Sequence, residues 1–212
     1  MAGYNLSQSW LVATNVVISA SWGRVWGRVF WIIWSNVWSS IESDESACLD
    51  ILGPPLKFAL GVSFLELFNR LVGLTRSPIA AVVLFSCTRM GVELLTAPLI
   101  PCGCWQHLVT VAMWSMGDLV RFACFAIDTA SPGMFWVKSI RFTVGPMLFP
   151  IGAAGEMMMV IRAASDHHNP MMLYAAAALW PLFFYPMMQQ LLKQRRKHFN
   201  SKKENKKEIK SV

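Results

Sequence analysis

Six apolar stretches dominate the chain, at residues 10–33, 52–74, 79–100, 107–127, 136–161 and 171–192. Each reaches the ~20 mostly apolar residues that a helix needs to cross the hydrocarbon core of a bilayer. Backbone polar groups in that core are satisfied only within helices or closed barrels. The chain is therefore predicted to be all-α, a polytopic membrane protein built as a six-transmembrane-helix bundle. The sixth stretch has no charged residue, whereas the second carries Lys57, Glu66 and Arg70. Composition agrees: of 212 residues, 55% are hydrophobic and 15% charged, against roughly 25% charged in soluble domains. Such hydrophobicity excludes disorder for most of the chain. Five cysteines are too few, and odd in number, for a secreted disulfide scaffold. No cleavable signal peptide is expected, because the first nine residues lack Lys and Arg and no short apolar region ends in a small-x-small site.

Charge gives an orientation. Nine of the nineteen Lys and Arg lie from Lys193 onward, where Glu204 and Glu208 leave a tail of +7, and the rest of the chain sums to zero. Residues 1–192 thus read as a six-span membrane domain and 193–212 as a basic tail. Basic residues next to spans favour the cytoplasm. Residues 39–51 hold Glu42, Asp44, Glu45 and Asp50 and no basic residue, whereas Arg76, Lys138 and Arg141 fall on the side of the tail. Both termini are predicted to be cytoplasmic, with the acidic loop opposite; Arg162 runs against this pattern. No nucleic-acid partner is expected, since the tail has Phe199 as its one aromatic residue.

Ionisable side chains inside spans are costly and mark functional sites by default. Glu66 and Arg70 are spaced i,i+4, Arg89 and Glu93 i,i+4, and Asp118 and Arg121 i,i+3. Each pair lies on one helix face and can neutralise itself, either to hold the bundle together or to line a polar cavity. Arg24 and Arg28 share a face without an acid and need a partner helix or a headgroup. Glu156 has only Gly152, Ala153, Met159 and Val160 as its i±3 and i±4 neighbours. A buried carboxyl without a counter-charge is hard to ionise, which suits a general acid or base near neutral pH. The other reading is a neutral Glu hydrogen-bonded to a neighbouring helix. Before it runs Gly145-Pro146-Met147-Leu148-Phe149-Pro150-Ile151-Gly152-Ala153-Ala154-Gly155. The prolines are expected to disturb the helix. If it persists, Phe149 and Glu156 share a face about 10 Å apart, with small residues between them for a substrate or close packing. Trp22, Trp26, Phe30, Trp34 and Trp38 form a ridge at four-residue spacing, read as lipid contact and interfacial anchoring or as an acyl-chain track. Metal chemistry finds no support: Cys102-Gly103-Cys104 lacks zinc spacing, and His167-His168 reads as a solvated turn. Neither a phosphate-binding loop nor a dinucleotide fingerprint is present, nor is a nucleophile elbow.

Several segments, in order, resemble the very-long-chain 3-hydroxyacyl-CoA dehydratase family, also called protein-tyrosine-phosphatase-like A. Leu65-Glu66-Leu67-Phe68-Asn69-Arg70-Leu71-Val72-Gly73-Leu74-Thr75-Arg76-Ser77 is similar to its Leu-Glu-x-x-His…Gly-Leu-Val-Arg-Ser segment. Trp114-Ser115-Met116-Gly117-Asp118-Leu119-Val120-Arg121-Phe122 resembles Trp…Glu-x-x-Arg-Tyr. Arg141-Phe142-Thr143 with Leu148-Phe149-Pro150-Ile151-Gly152-Ala153-Ala154-Gly155-Glu156 resembles Arg-Tyr-Thr…Leu-Tyr-Pro-x-Gly-x-x-x-Glu. Asn15 and Trp22 fit the first span, and the likeness covers about residues 10–190.

The resemblance implies a multi-pass lyase of the endoplasmic reticulum membrane. It would dehydrate long- or very-long-chain 3-hydroxyacyl-CoA to trans-2-enoyl-CoA in fatty-acid elongation. Implied partners are the acyl-CoA substrate, the lipid bilayer and the other elongation enzymes; no cofactor is implied. The family's catalytic pair is the Tyr of Tyr-Pro and the terminal Glu. Glu156 matches the second, while Phe149 occupies the position of the first without its hydroxyl. Phe122 and Phe142 likewise stand where the family has Tyr, and Asp118 where it has Glu. Asn69-Arg70 stands where His-Cys is sometimes found, so phosphatase chemistry has no nucleophile. The chain's tyrosines are Tyr4, Tyr174 and Tyr185, and Tyr185 on the last span is the candidate substitute acid. Two functions follow from different classes: a dehydratase with an altered acid–base set, and a non-catalytic relative that binds acyl-CoA or scaffolds the elongation enzymes. A transporter would explain a broken fifth helix but not the motif order.

Overall fold

The computed structural model describes residues 6–39, 45–75, 79–166 and 170–210. They are helical nearly throughout: α1 (Leu6–Ser39), α2 (Glu45–Leu71), α3 (Ile79–Gly91), α4 (Trp105–Ala130), α5 (Phe135–Asp166) and α6 (Met171–Lys210). α3 continues into a π-helical turn at Val92–Thr96 and a 3₁₀ turn at Ala97–Leu99. Five segments are long and apolar enough to cross a membrane: Cys48–Leu71, Val82–Leu99, Trp105–Ala130, Phe135–Ser165 and Met171–Asn200. α1 has the length, with 34 residues, or about 51 Å. Its serines, arginines and tryptophans keep it less apolar than the other five.

The expected disturbance of α5 does not occur. The helix runs unbroken through Pro146 and Pro150, as α2 does through Pro54 and Pro55 and α6 through Pro181 and Pro186. In hydrocarbon a broken helix has no water to satisfy its freed backbone groups, so helical continuity is the cheaper state.

Consecutive helices run antiparallel, as the pairs joining their ends require. Trp10 Nε1, near the start of α1, donates to Asn69 Oδ1 at the end of α2 (2.8 Å), and Asn69 Nδ2 donates to Thr14 Oγ1 (3.1 Å). Ser139 at the start of α5 lies 3.2 Å from His198 Nε2 late in α6, and Phe135 stacks on the same imidazole. A Cys48–Cys102 disulfide joins the start of α2 to the segment after α3. α2 ends in a turn at Gly73, whose φ of 76° is the left-handed conformation that closes a helix C-terminus. α4 is central, packed between α1 and α5; α2 lies on α1, α3 on α2 and α6 on α5, and the turns after α3 touch α5.

The core follows helical periodicity. Ile18, Trp22, Val25 and Val29 bury one stripe of α1 against Leu52 and Leu56 of α2, Val111 of α4 and Met159 of α5. The aromatic ridge therefore divides. Trp22 is fully buried and donates to Ser63 Oγ at 2.9 Å. Trp26 is half-buried, Phe30 and Trp34 are exposed, and the three rings stack in series; the side chain of Trp38 lies outside the described residues. The drift of four-residue spacing against a 3.6-residue turn separates Trp22 from the rest.

Closest approach of α4 and α5 depends on Gly155. A Cβ there would overlap Thr110 Oγ1 and lie 3.3 Å from Thr110 Cβ. Gly155→Ala is expected to destabilise the protein by ~1–3 kcal/mol, the usual range for overpacking, seen as a lower Tm in detergent. Adding Thr110→Ala is expected to restore most of the loss. An unchanged Tm for Gly155→Ala would contradict this packing.

Candidate active site

α4, α5 and their neighbours enclose a cavity of about 700 Å³. All six helices contribute to its wall. Trp114, Gly152 and Glu156 line one end, and Thr75, Asp128, Arg141 and Gln194 line the other, toward the end of the bundle that carries both chain termini.

Its midsection holds two ion pairs. Arg121 donates directly to Glu66, joining α4 to α2, and Arg89 donates directly to Asp118, joining α3 to α4. These replace the same-helix pairs expected from spacing. Glu66 faces the cavity, while Arg70 donates instead to the Thr75 carbonyl (3.2 Å) and steadies the turn after α2. Glu93 falls within the π-helical turn and faces His107 Nε2 across 3.5 Å. The wider π turn rotates Glu93 away from the face of Arg89. Asp118 and Arg121 remain neighbours on α4 but take partners from other helices. The Arg89 guanidinium also sits 5.6–5.7 Å from the ring centroids of Trp22, Phe85 and Trp114.

Four acids line the cavity: Glu66, Asp118, Asp128 and Glu156. Asp128 faces Lys138 Nζ at 3.3 Å. Glu156 alone has no ion-pair partner among the described residues. Its Oε1 accepts a hydrogen bond from Trp114 Nε1 at 2.5 Å, and the residue is buried. A buried indole N–H needs an acceptor and a buried carboxyl needs a donor, so α4 and α5 satisfy each other here. Phe149, two turns earlier on the same face of α5, lines the same cavity. Its ring stacks on Phe184 of α6 at 5.2 Å and meets Phe85 of α3 edge-on at 5.6 Å.

The site residues expected from sequence thus divide. Glu156, Phe149, Glu66, Arg89, Asp118, Arg121 and Arg141 line one cavity, and so do Phe122 and Phe142. Arg70, Glu93 and Tyr185 do not. Tyr185 is 65% exposed and its hydroxyl accepts from Gln189 Nε2 at 2.7 Å. It projects outward because α6 offers the cavity Met187, Gln190, Leu191 and Gln194 instead. Tyr174 does not line the cavity either, and Tyr4 lies outside the described residues. Arg24 and Arg28 are exposed. Among the described residues no group of His, Cys, Asp and Glu is arranged to hold a metal; His167 and His168 lie outside them. Sequence reasoning offered a Glu156 hydrogen-bonded to a neighbouring helix as one alternative but missed its partner, Trp114, and the disulfide. The first was signalled only by a lone carboxyl and a Trp in separate apolar helices. The second has no sequence signal, because spacing does not give disulfide connectivity.

Comparison with known proteins decides the family. The family model described as protein tyrosine phosphatase-like protein, PTPLA, matches residues 61–201. The chain belongs to the PTPLA family. Its similar relatives include two rice proteins named very-long-chain (3R)-3-hydroxyacyl-CoA dehydratase PASTICCINO 2B and 2A. They are 29% identical over 120 residues and 30% identical over 122, each match covering 55% of this chain and 54% of the relative. The dehydratase hpo-8 of Caenorhabditis elegans is 25% identical over 109 residues, 49% of each chain. The chain thus spans about half the length of the curated relatives it matches. No solved structure matches.

The ion pairs of this PTPLA protein make a direct test. Glu66–Arg121 is half-buried, so removing one partner strands the other charge at less than the roughly 3–5 kcal/mol of a fully buried pair. Glu66→Gln is expected to lower the Tm in detergent, Glu66→Gln with Arg121→Gln to recover much of it, and Glu66→Gln with Arg70→Gln to recover none. Recovery by Arg70→Gln would restore the same-helix pairing.

Proposed function

We propose that this protein is a six-span membrane dehydratase that converts long- or very-long-chain 3-hydroxyacyl-CoA to trans-2-enoyl-CoA in fatty-acid elongation. The observation that carries the reading is Glu156, among the described residues the one cavity acid without an ion-pair partner, held by Trp114 on the cavity wall. The reaction removes a proton from C2, beside the thioester, and expels the C3 hydroxyl as water. No phenol among the described residues lines the cavity, so Glu156 does both steps in succession. As the carboxylate it takes the C2 proton, and the electron pair forms the C2–C3 double bond. As the carboxylic acid it returns the proton to the departing hydroxyl. One group acting on one face makes the elimination syn. Glu66–Arg121 and Asp118–Arg89 keep the middle of the wall polar yet neutral, and the apolar lining accepts the acyl chain.

A second reading, a non-catalytic acyl-CoA-binding or scaffolding relative, draws support from Phe149. Its ring has no hydroxyl and is fixed by Phe85 and Phe184.

The proposed setting is the endoplasmic reticulum membrane, with both termini cytoplasmic and a basic tail beyond residue 192. The Cys48–Cys102 disulfide supports that orientation. It lies at the end of the bundle opposite the termini, and disulfides persist on the oxidising side of such a membrane. Cysteine-reactive labelling of the 39–51 loop and the tail is expected to reach them from opposite faces; labelling of both from one face would overturn the topology.

Turnover of 3-hydroxyacyl-CoA by the purified chain tests the chemistry. Glu156→Ala is expected to abolish it, and Tyr185→Phe to leave it unchanged. Phe149→Tyr is expected to raise it at least ~10-fold, since a positioned acid–base group typically contributes more than that. Turnover that survives Glu156→Ala would refute the mechanism. Proteins that fold and bind acyl-CoA but never turn it over, Phe149→Tyr included, would favour the second reading.

A further inference from the structure

Among the described residues, two charged side chains of the cavity wall have no direct ion-pair partner. Glu156 is one. The other is Arg141, which lines the opposite end. Its guanidinium carbon lies 4.2 Å from the Phe125 ring centroid and 4.7 Å from that of Phe142. No carboxylate among the described residues forms an ion pair with it: Glu66 is taken by Arg121, Asp118 by Arg89, and Asp128 by Lys138. Two aromatic rings thus hold the cation in place and leave its N–H edge without an acidic acceptor. A guanidinium stacked in this way presents planar, forked donors that match the oxygens of a phosphate. Lys138, one turn away on α5, is taken up by Asp128. Asp128, Glu66 and the Arg121 guanidinium lie in electrostatic range of Arg141, but each has a partner of its own.

Arg141 and Glu156 lie on the same continuous helix. Their separation in sequence corresponds to about 22 Å along its axis and to a rotation of only about 60°. In a coenzyme A thioester, about thirteen bonds separate the sulfur from the nearest phosphorus. An extended chain advancing roughly 1.2 Å per bond spans about 16 Å, and the bonds from sulfur to C2, with a Glu156 side chain leaning toward the N-terminus of α5, account for the remainder.

We propose that Arg141 is the phosphate-binding residue of the cavity, taking a phosphate of coenzyme A at the terminal end of the bundle while the thioester lies beside Glu156. The inference rests on the acyl-CoA reading above and deepens it. The α5 helix then acts as a ruler, with the charged handle of the substrate at one end and the reacting carbons at the other. The pantetheine arm runs between them past Gly145 and Phe149. The same chemistry would also attract the phosphate of a lipid headgroup, since this end of the bundle lies at a membrane face.

The test uses the full chain in neutral detergent and compares three probes: free coenzyme A, 3-hydroxyhexadecanoyl-CoA and 3-hydroxyhexadecanoyl-pantetheine, which has the thioester but no phosphate. Arg141→Gln is expected to weaken both coenzyme A ligands at least ~10-fold, the scale of one charge-assisted hydrogen bond, and to leave the pantetheine thioester within about twofold. Arg141→Lys is expected to retain most coenzyme A affinity. A measurement without mutation runs beside these: raised salt and adenosine 3′,5′-bisphosphate are expected to weaken coenzyme A binding and spare the pantetheine thioester. Equal loss of all three probes, or no loss, overturns the assignment. So does displacement of coenzyme A by phosphatidylglycerol at matched phosphate concentration, which would make the site a headgroup site. Failure of the parent reading looks different. Wild type that binds coenzyme A through Arg141 but dehydrates nothing keeps the phosphate site and loses the enzyme. Wild type that dehydrates, with Arg141→Gln binding coenzyme A normally, keeps the enzyme and loses the phosphate site.

Discussion

Charges placed among apolar helices must be neutralised, and the two ion pairs Glu66–Arg121 and Arg89–Asp118 are where this protein does so. Both reach from α4 to helices that do not pack closely on it, since α4 makes its close contacts with α1 and α5. The pairs therefore span the cavity instead of filling a helix–helix seam. Strip one partner and a bare charge remains in low dielectric. This constraint fixes α2 and α3 at a distance from α4 and keeps the space between them open and polar.

From that frame the remaining features follow. Arg89, held by Asp118, lies among three aromatic rings, one of them Trp114. Trp114 is thereby fixed, and its N–H holds Glu156. Gly155 lets α5 approach α4 closely enough for this bond to form. Glu156 and Arg141, the two cavity charges without a direct ion pair among the described residues, stand at opposite ends of the cavity along α5. An elongated substrate with an anionic head and a thioester, the kind its PTPLA relatives are named for, suits that arrangement.

Much of this was legible in the sequence, and the reasons are specific. Five helices with the apolar length of a span lie where the apolar runs predicted, because hydropathy over ~20 residues is a strong signal. The cavity-lining set of Glu66, Arg89, Asp118, Arg121, Arg141, Phe149 and Glu156 was legible because ionisable residues are rare inside spans and because the motif order resembles a known family. Partner choice was not. Helical spacing favours i,i+4 neighbours, but Arg70 is drawn to the turn carbonyl of Thr75 and Glu93 is turned aside by the π-helical segment. Those outcomes depend on how helices face one another, which spacing along one helix does not contain. Trp22 was read with the lipid-facing ridge for the same reason: its burial is decided by Ser63 and α2, not by its own helix. Tyr185 had the right chemistry and the wrong rotation about α6.

The central claim is that Glu156 exchanges a proton with C2 of the substrate inside this cavity. The most direct measurement is mass-spectrometric detection of solvent deuterium at C2 after the purified chain is incubated with trans-2-enoyl-CoA in D₂O, where hydration runs the reaction in reverse. The account expects 3-hydroxyacyl-CoA carrying deuterium at C2 with wild type and none with Glu156→Gln. Hydrated product with deuterium at C2 that persists in Glu156→Gln would contradict it.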